Sequence, residues 1–164
     1  MTTNRRSQTA GRARSRAAPK ASTFKVRIAR LSRRVALGDA RIRAVLHAVA
    51  RAQHWQGDVS LAVVDDEAIA ALNGRFLRKP TPTDVLAFAY GDDADGVAGE
   101  IIVSDETAAR TARALREPPA RELLRYCVHG LLHLCGFDDA TARARRAMHA
   151  REDRFLPPAE EFDA

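Results

Sequence analysis

The sequence predicts an α+β fold: a small mixed β-sheet of about four strands packed with about five helices. Three observations predict it. Short apolar runs at 24–30, 58–65, 83–90 and 100–104 alternate with polar residues or are bounded by Gly and Asp, as strands are. Ile42, Val45, Leu46 and Val49 fall at helical spacing. After residue 104 only helical patterning follows, so a βαββ-type order of strands comes first and a run of helices last.

In order, "FKVRIAR" (24–30) turns Phe24, Val26 and Ile28 to one face, a half-buried strand. A helix spans about 39–54. "DVSLAVVD" (58–65) is a buried strand, and Asp65 or Asp66 caps the helix that carries "EAIAALNGRF". "LRKPTPT" (77–83) is a loop, because two prolines break any helix. "TDVLAFAY" and "EIIVS" are two strands joined by a Gly- and Asp-rich turn over 91–99. Residues 105–116 form an exposed basic helix. Pro118 and Pro119 stop it and open a mostly apolar helix over 120–135, suited to a central, buried position. A charged helix over 141–155 ends the domain.

At 164 residues the chain is long enough for one domain with a core of its own. No run of 18 apolar residues is present, so no transmembrane helix is expected, and no secretory signal is recognised near the start. The two cysteines, Cys127 and Cys135, are too few for a disulfide scaffold and are read as reduced thiols packed in the core of a cytoplasmic protein. The net charge of +6 is unevenly spread. Of 27 basic and 21 acidic side chains, 11 basic and no acidic ones fall in residues 1–38, leaving 16 and 21, a net of −5, for residues 39–164. Residues 1–22 are rich in Arg, Ala and Ser/Thr with no large aliphatic side chain after Met1, and are expected to be a disordered basic extension. Such an extension suits RNA phosphates, an organellar address or mere solvation. Residues 23–157 form the single domain and 158–164 a tail.

The segment "HGLLHLCGFDD" (129–139) carries the chemistry. On a helix, His129 and His133 lie one turn apart on the same face and can reach one metal ion. Gly136 can end that helix in the left-handed conformation, after which Asp138 or Asp139 can swing back. Two imidazoles and a carboxylate leave an open position, as catalytic zinc sites do. A plainer reading has two satisfied histidines and an ordinary helix exit. Gly130 follows the first histidine where zinc peptidases place their general-base Glu, so peptide hydrolysis by that route is disfavoured. Cys135 points away from His129 around the helix, and His149 is expected to face solvent.

This segment resembles the H-G-x-L-H-L-x-G-[YF]-D-H signature of the YbeY family, metal-dependent endoribonucleases of rRNA maturation. "PTDVLAFAY" (82–90) resembles the family's P-T-D-V-L-S-F-P strand, and "AGEIIVSDETA" (98–108) its L-G-D-I-V-I-S strand and helix start. "VDDEAIAALN" (64–73) fits as well. The likeness is strong over about 60–156, weaker over 24–59, and leaves 1–22 outside.

The resemblance implies one divalent ion, zinc being the expected one, held by His129, His133 and a third ligand. That third position, usually His, is Asp139 here. A carboxylate lowers the charge of the site, so its water should be less acidic and harder ions more competitive. Alternatively, Asp139 merely caps the last helix and the site is degraded. The family's arginine before P-T-D-V falls in register on Leu77; Arg75, Arg78 and Lys79 flank it, and Arg78 is carried forward as the candidate catalytic cation. Ala87 and Ala89 replace the Ser and Pro of the family strand. The implied function is metal-dependent, single-strand endoribonucleolytic cleavage in rRNA 3′-end maturation and ribosome quality control. The implied partners are rRNA and the small ribosomal subunit, with Arg110, Arg113, Arg116, Arg121 and Arg125 as either an RNA-facing surface or a solvated helix face. The alternatives are a ribosome-assembly factor with a degraded metal site and a hydrolase of small phosphoesters.

Overall fold

The computed structural model describes residues 24–90 and 97–162. The expected extension over 1–22 and most of the turn between the last two strands lie outside the described residues. The elements are β1 (Val26–Arg30), α1 (Asp39–Ala52), β2 (Asp58–Val64), α2 (Asp66–Leu77), β3 (Val85–Ala89), β4 (Val97–Ser104), α3 (Asp105–Leu115), α4 (Pro119–Leu134) and α5 (Ala142–Asp153), followed by a 3₁₀ turn at Ala159–Phe162. This is the α+β arrangement expected, with four strands and five α-helices among the described residues.

The sheet order is β1-β2-β4-β3. β1 pairs parallel with β2, and β2 with β4, whereas β3 runs antiparallel to β4 with Val85 opposite Val103 and Ala89 opposite Gly99. Strand alternation sorts the side chains into two cores. Val59, Leu61, Val63, Ile101 and Val103 join the buried faces of α1 and α4. Val64, Leu86 and Ile102 meet Ile69 of α2 on the opposite face. The continuous apolar reading of β2 has its cause here: both faces are covered.

Local chemistry sets the helix ends. The Asp65 carboxylate accepts from the Ala68 N–H at 2.8 Å and caps α2, choosing between the two aspartates. Pro119 sits in the first turn of α4, where its missing N–H is not needed. Helix α4 buries Leu123, Leu124, Val128, Leu131 and Leu132 completely, each contributing about 1.5–3 kcal/mol by removal from water. It presses close to the sheet at Gly130, where a Cβ would stand 2.5 Å from Cγ2 of Ile101. Glycine at this position is therefore a packing requirement.

Three expectations need correction. Helix α3 is not exposed all round: Ala108 and Ala112 are fully buried, and it lies against α4. Arg121 and Arg125 are not part of an open basic face. Their side chains are 15% and 13% exposed and are engaged by Glu117 and by Glu122, Glu152 and Asp153. The C-terminal segment read as a tail makes a turn, whose Phe162 packs against the core and lies under the Arg41 guanidinium at 4.6 Å.

Candidate metal centre

Helix α4 delivers His129 and His133 side by side, with ring centroids 4.4 Å apart. The helix then ends as the sequence predicts. Gly136 has φ +94°, its N–H donates to the His133 carbonyl at 2.9 Å, and the Phe137 N–H reaches back to the Leu132 carbonyl at 3.1 Å. This pair of bonds is the Schellman stop, which satisfies two carbonyls that a helix end would strand. The chain reverses, and the two aspartates divide the work. Asp138 accepts from the Ala140 N–H at 2.8 Å and shapes the turn. Asp139 points back at the histidines.

Nε2 of His129 lies 2.8 Å from Nε2 of His133. The Asp139 carboxylate stands 3.6 Å from each of those nitrogens, one oxygen to each. One donor atom from each of the three residues falls within a sphere of mutual distances below 4.8 Å. The donor set suits a divalent ion: two imidazole nitrogens and one carboxylate, beside a cavity that can admit a fourth ligand. To hold one ion together, His129 and His133 would need to part from their 2.8 Å nitrogen separation. The structure therefore contains a candidate metal-binding triad made of the three residues named from the sequence. The reading in which Asp139 caps the last helix is not met, because Thr141 does that: its hydroxyl accepts from the Ala144 N–H at 3.1 Å.

Sequence reasoning missed what stands behind the triad. Glu152, on α5 and 2% exposed, meets Nδ1 of His129 at 2.7 Å. With the proton held on Nδ1 by this carboxylate, the Nε2 lone pair is left facing His133 and Asp139, as a metal-bound imidazole needs. Arg125 in turn donates to Glu152 at 3.1 Å and to Asp153 at 2.9 Å, and Glu122 backs Arg125 at 3.5 Å. Burial resists the charged form of His129, but the hydrogen bond and charge of Glu152, helped by Asp84 and Asp139, raise its pKa above the ordinary value. Burial likewise pushes Glu152 up, and its bonds to His129 and Arg125 more than offset this, leaving it low. Burial alone dominates at Glu122, whose pKa is raised. No local pattern in the charged segment "MHARED" singles out Glu152; only the packing of α5 on α4 does.

His129 and Asp139 open on a cavity of about 500 Å³ lined by residues of the 82–84 strand entry, α3, α4 and α5, among them Thr83, Asp84, Tyr126, Arg145 and His149. Arg145 donates to the backbone carbonyls of Asp139 and Ala140 at 3.4 and 3.3 Å and so holds the ligand loop. His149 is 67% exposed on its side chain, as expected, with Nδ1 3.3 Å from Glu152. Arg78 is exposed at the left-handed C-cap of α2 and does not line this cavity. The cysteines pack as predicted: burial drives Cys127 up to about 12 and Cys135 up to about 11, so neither thiol is a ready ligand.

The family profile described as Endoribonuclease YbeY matches residues 30–160. The chain belongs to the endoribonuclease YbeY family. It is thus a member of a family of RNA-cleaving hydrolases. Among the relatives named Endoribonuclease YbeY, the protein of Moorella thermoacetica is 42% identical over 125 residues, covering 68% of this chain and 80% of its own. That of Carboxydothermus hydrogenoformans is 40% identical over 101 residues, covering 61% and 71%. That of Rhodopirellula baltica is 40% identical over 99 residues, covering 59% of this chain but only 51% of its own length. The fold is also that of the solution structure of TM1509 from Thermotoga maritima, with a TM-score of 0.54, 24% identity, and coverage of 79% of this chain and 85% of that one. Among the described residues no helix is long and apolar enough to cross a membrane.

Proposed function

We propose that this YbeY-family protein is a metal-dependent, single-strand endoribonuclease acting on rRNA during 3′-end maturation and ribosome quality control. The small ribosomal subunit is its expected partner. The observation that carries the reading is the convergence of His129, His133 and Asp139, with His129 and Asp139 lining a cavity and Glu152 standing behind Nδ1 of His129 at 2.7 Å. Zinc is the expected ion, because two imidazoles and one carboxylate form a donor set it accepts. A divalent ion bound there supplies a water of lowered pKa and polarises a phosphoryl oxygen.

The chain's own residues do the rest. Glu152 and Arg125 orient the His129 ring; Arg145 keeps the Asp139 loop in place. Cations near the entry offset the charge that develops on phosphorus-bound oxygens. Arg78, carried forward from the sequence, does not line that cavity, so its charge would act on RNA outside the cavity wall, with Arg75 and Lys79 beside it in the chain.

The test pairs metal content with cleavage. Untagged protein purified without chelator should carry about one ion per chain and cut a single-stranded rRNA 3′ fragment, and chelator should abolish the cutting. Cleavage that persists in excess chelator overturns the metal role. A second reading, a ribosome-assembly factor that holds metal poorly, draws on Asp139 standing where the family usually has His. Binding to small subunits without cleavage under any divalent ion favours it. Activity on a chromogenic phosphodiester but not on RNA points instead to a small-substrate hydrolase.

A further inference from the structure

Among the described residues, five large hydrophobic side chains are strongly exposed, and three of them, Phe76, Leu77 and Tyr90, come from two neighbouring elements, each at least half open to solvent. Phe76, in the last turn of α2, lies against Phe88 of β3 with ring centroids 5.3 Å apart. Tyr90 follows Phe88 by two positions and continues the pairing with β4 through its N–H to the Ala98 carbonyl, so it stands on the same face. Its hydroxyl donates to Glu100, which anchors the ring at one edge. Cations adjoin Phe76 in the chain. The Arg75 guanidinium sits 5.4 Å from the Phe76 ring, and Arg78 and Lys79 follow, exposed, with no acidic residue between Gly74 and Thr83.

Exposed apolar side chains gathered in one patch and rimmed by polar residues mark an interaction site, where single exposed ones would not. Ring faces flanked by Arg and Lys are how proteins grip single-stranded nucleic acid without reading its sequence. Position adds to the chemistry. β3 is an edge of the sheet. The aromatic cluster lies on the face covered by α2, because Phe88 packs with Leu86 and Ile69. The triad lies on the α4 face. The two are joined by the loop 78–84, which starts at Arg78 and ends at Pro82, Thr83 and Asp84 in the wall of the metal cavity.

We propose that Phe76 and Tyr90, with Phe88 packed behind Phe76 and with Arg75, Arg78 and Lys79, form a base-stacking platform that holds single-stranded RNA and passes it over the β3 edge into the metal cavity. This rests on the RNA-cleaving reading of that cavity. It gives the basic loop a role that its absence from the cavity wall leaves open: Arg78 grips phosphates upstream of the cut.

The test separates holding from cutting. With chelator present, binding of a labelled 12-nucleotide single-stranded RNA to the full-length chain is followed by fluorescence anisotropy at several salt concentrations. Phe76→Ala and Phe76→Leu should each weaken binding about 5- to 100-fold without changing the salt slope, since stacking releases no counterions. The triple variant Arg75→Ala/Arg78→Ala/Lys79→Ala should flatten the slope by about 2. Phe76→Leu keeps the apolar contact with Phe88, so a fold defect is not the cause of its loss. Wild-type affinity in both Phe76 variants, or no RNA binding by the parent chain, overturns the platform. So does a Phe76→Ala effect on self-association in sedimentation with none on RNA, which marks the patch as a protein contact. If the aromatic dependence holds while metal-loaded protein cuts nothing, the platform stands and the nuclease reading falls.

Discussion

Asp105 and Glu152 are both almost wholly buried carboxylates, at 0% and 2% exposure, and both are fully hydrogen-bonded. Asp105, at the start of α3, is closed on itself by the fold. It takes the Ser32 hydroxyl at 2.7 Å, the Arg34 N–H at 2.7 Å and the Val35 N–H at 3.4 Å, and thereby pins the 32–35 loop to the sheet end. All of its partners are dead ends. Glu152 also takes a buried partner, but that partner is an imidazole whose other nitrogen faces two more ligands and a cavity. Burial and hydrogen bonding are the same in kind; what differs is whether the donor has a second, outward-facing function. The one carboxylate fixes backbone and the other fixes a reactive side chain.

That contrast can be broken most severely at the ligands themselves. His133→Ala should take metal content from about one ion per chain to none and lower RNA cleavage by more than the about 10- to 100-fold that loss of a supporting residue causes, with elemental analysis and a cleavage assay as the readouts. Metal retained in that variant would place the ion elsewhere. Next in size is Asp105→Ala. It strands two backbone N–H groups and one hydroxyl, and should destabilise the protein by about 3–5 kcal/mol in urea unfolding, while the folded fraction keeps its metal.

Glu152→Gln should show the opposite split: metal affinity down by about 10- to 100-fold in a competition titration, with the far smaller change appearing in unfolding. If Glu152→Gln and Asp105→Ala behave alike, the distinction between the two acids is lost. Asp139→His sharpens the same point. It removes a negative charge from the site, so the bound water should become more acidic and the rising limb of the pH–rate profile should move to lower pH; an unmoved limb denies Asp139 a place beside the ion.

The smallest effect is at Asp66, a third acid, near the surface. Burial tends to raise its pKa, but hydrogen bonds from Ser104, Thr107 and Arg110 bring it below the usual carboxylate value. Its contribution to stability is therefore complete above about pH 3.8 and is lost as the pH falls through its lower, folded value. Asp66→Asn should flatten the acid side of the Tm-versus-pH curve and leave metal content untouched.

Much of this was legible in the chain because local rules decide it. The helix from Pro119, its stop at Gly136 and the shared face of His129 and His133 follow from periodicity, φ freedom and the 3.6-residue turn. The choice of Asp139 over Asp138 came from the family signature, and the structure supplies its physical reason: Asp138 is consumed by the turn. The reading of α3 as exposed failed because alanines at helical spacing carry little hydrophobic signal, yet fit closely against α4. Arg121 and Arg125 were misread because an arginine looks the same in sequence whether it faces water or a buried glutamate.

By itself the sequence determined the fold class, the strands and helices, and the pair of histidines with an aspartate after the turn, since each depends on contacts between residues close in the chain. Only the tertiary structure decided that Glu152, 23 residues from His129, fixes its proton, that Thr83 and Asp84 wall the same cavity, and that Phe76 meets Phe88 beside the basic loop. Those pairings join separate elements, and the packing of α5 on α4 and of α2 on the sheet, which no local spacing encodes, sets their distances.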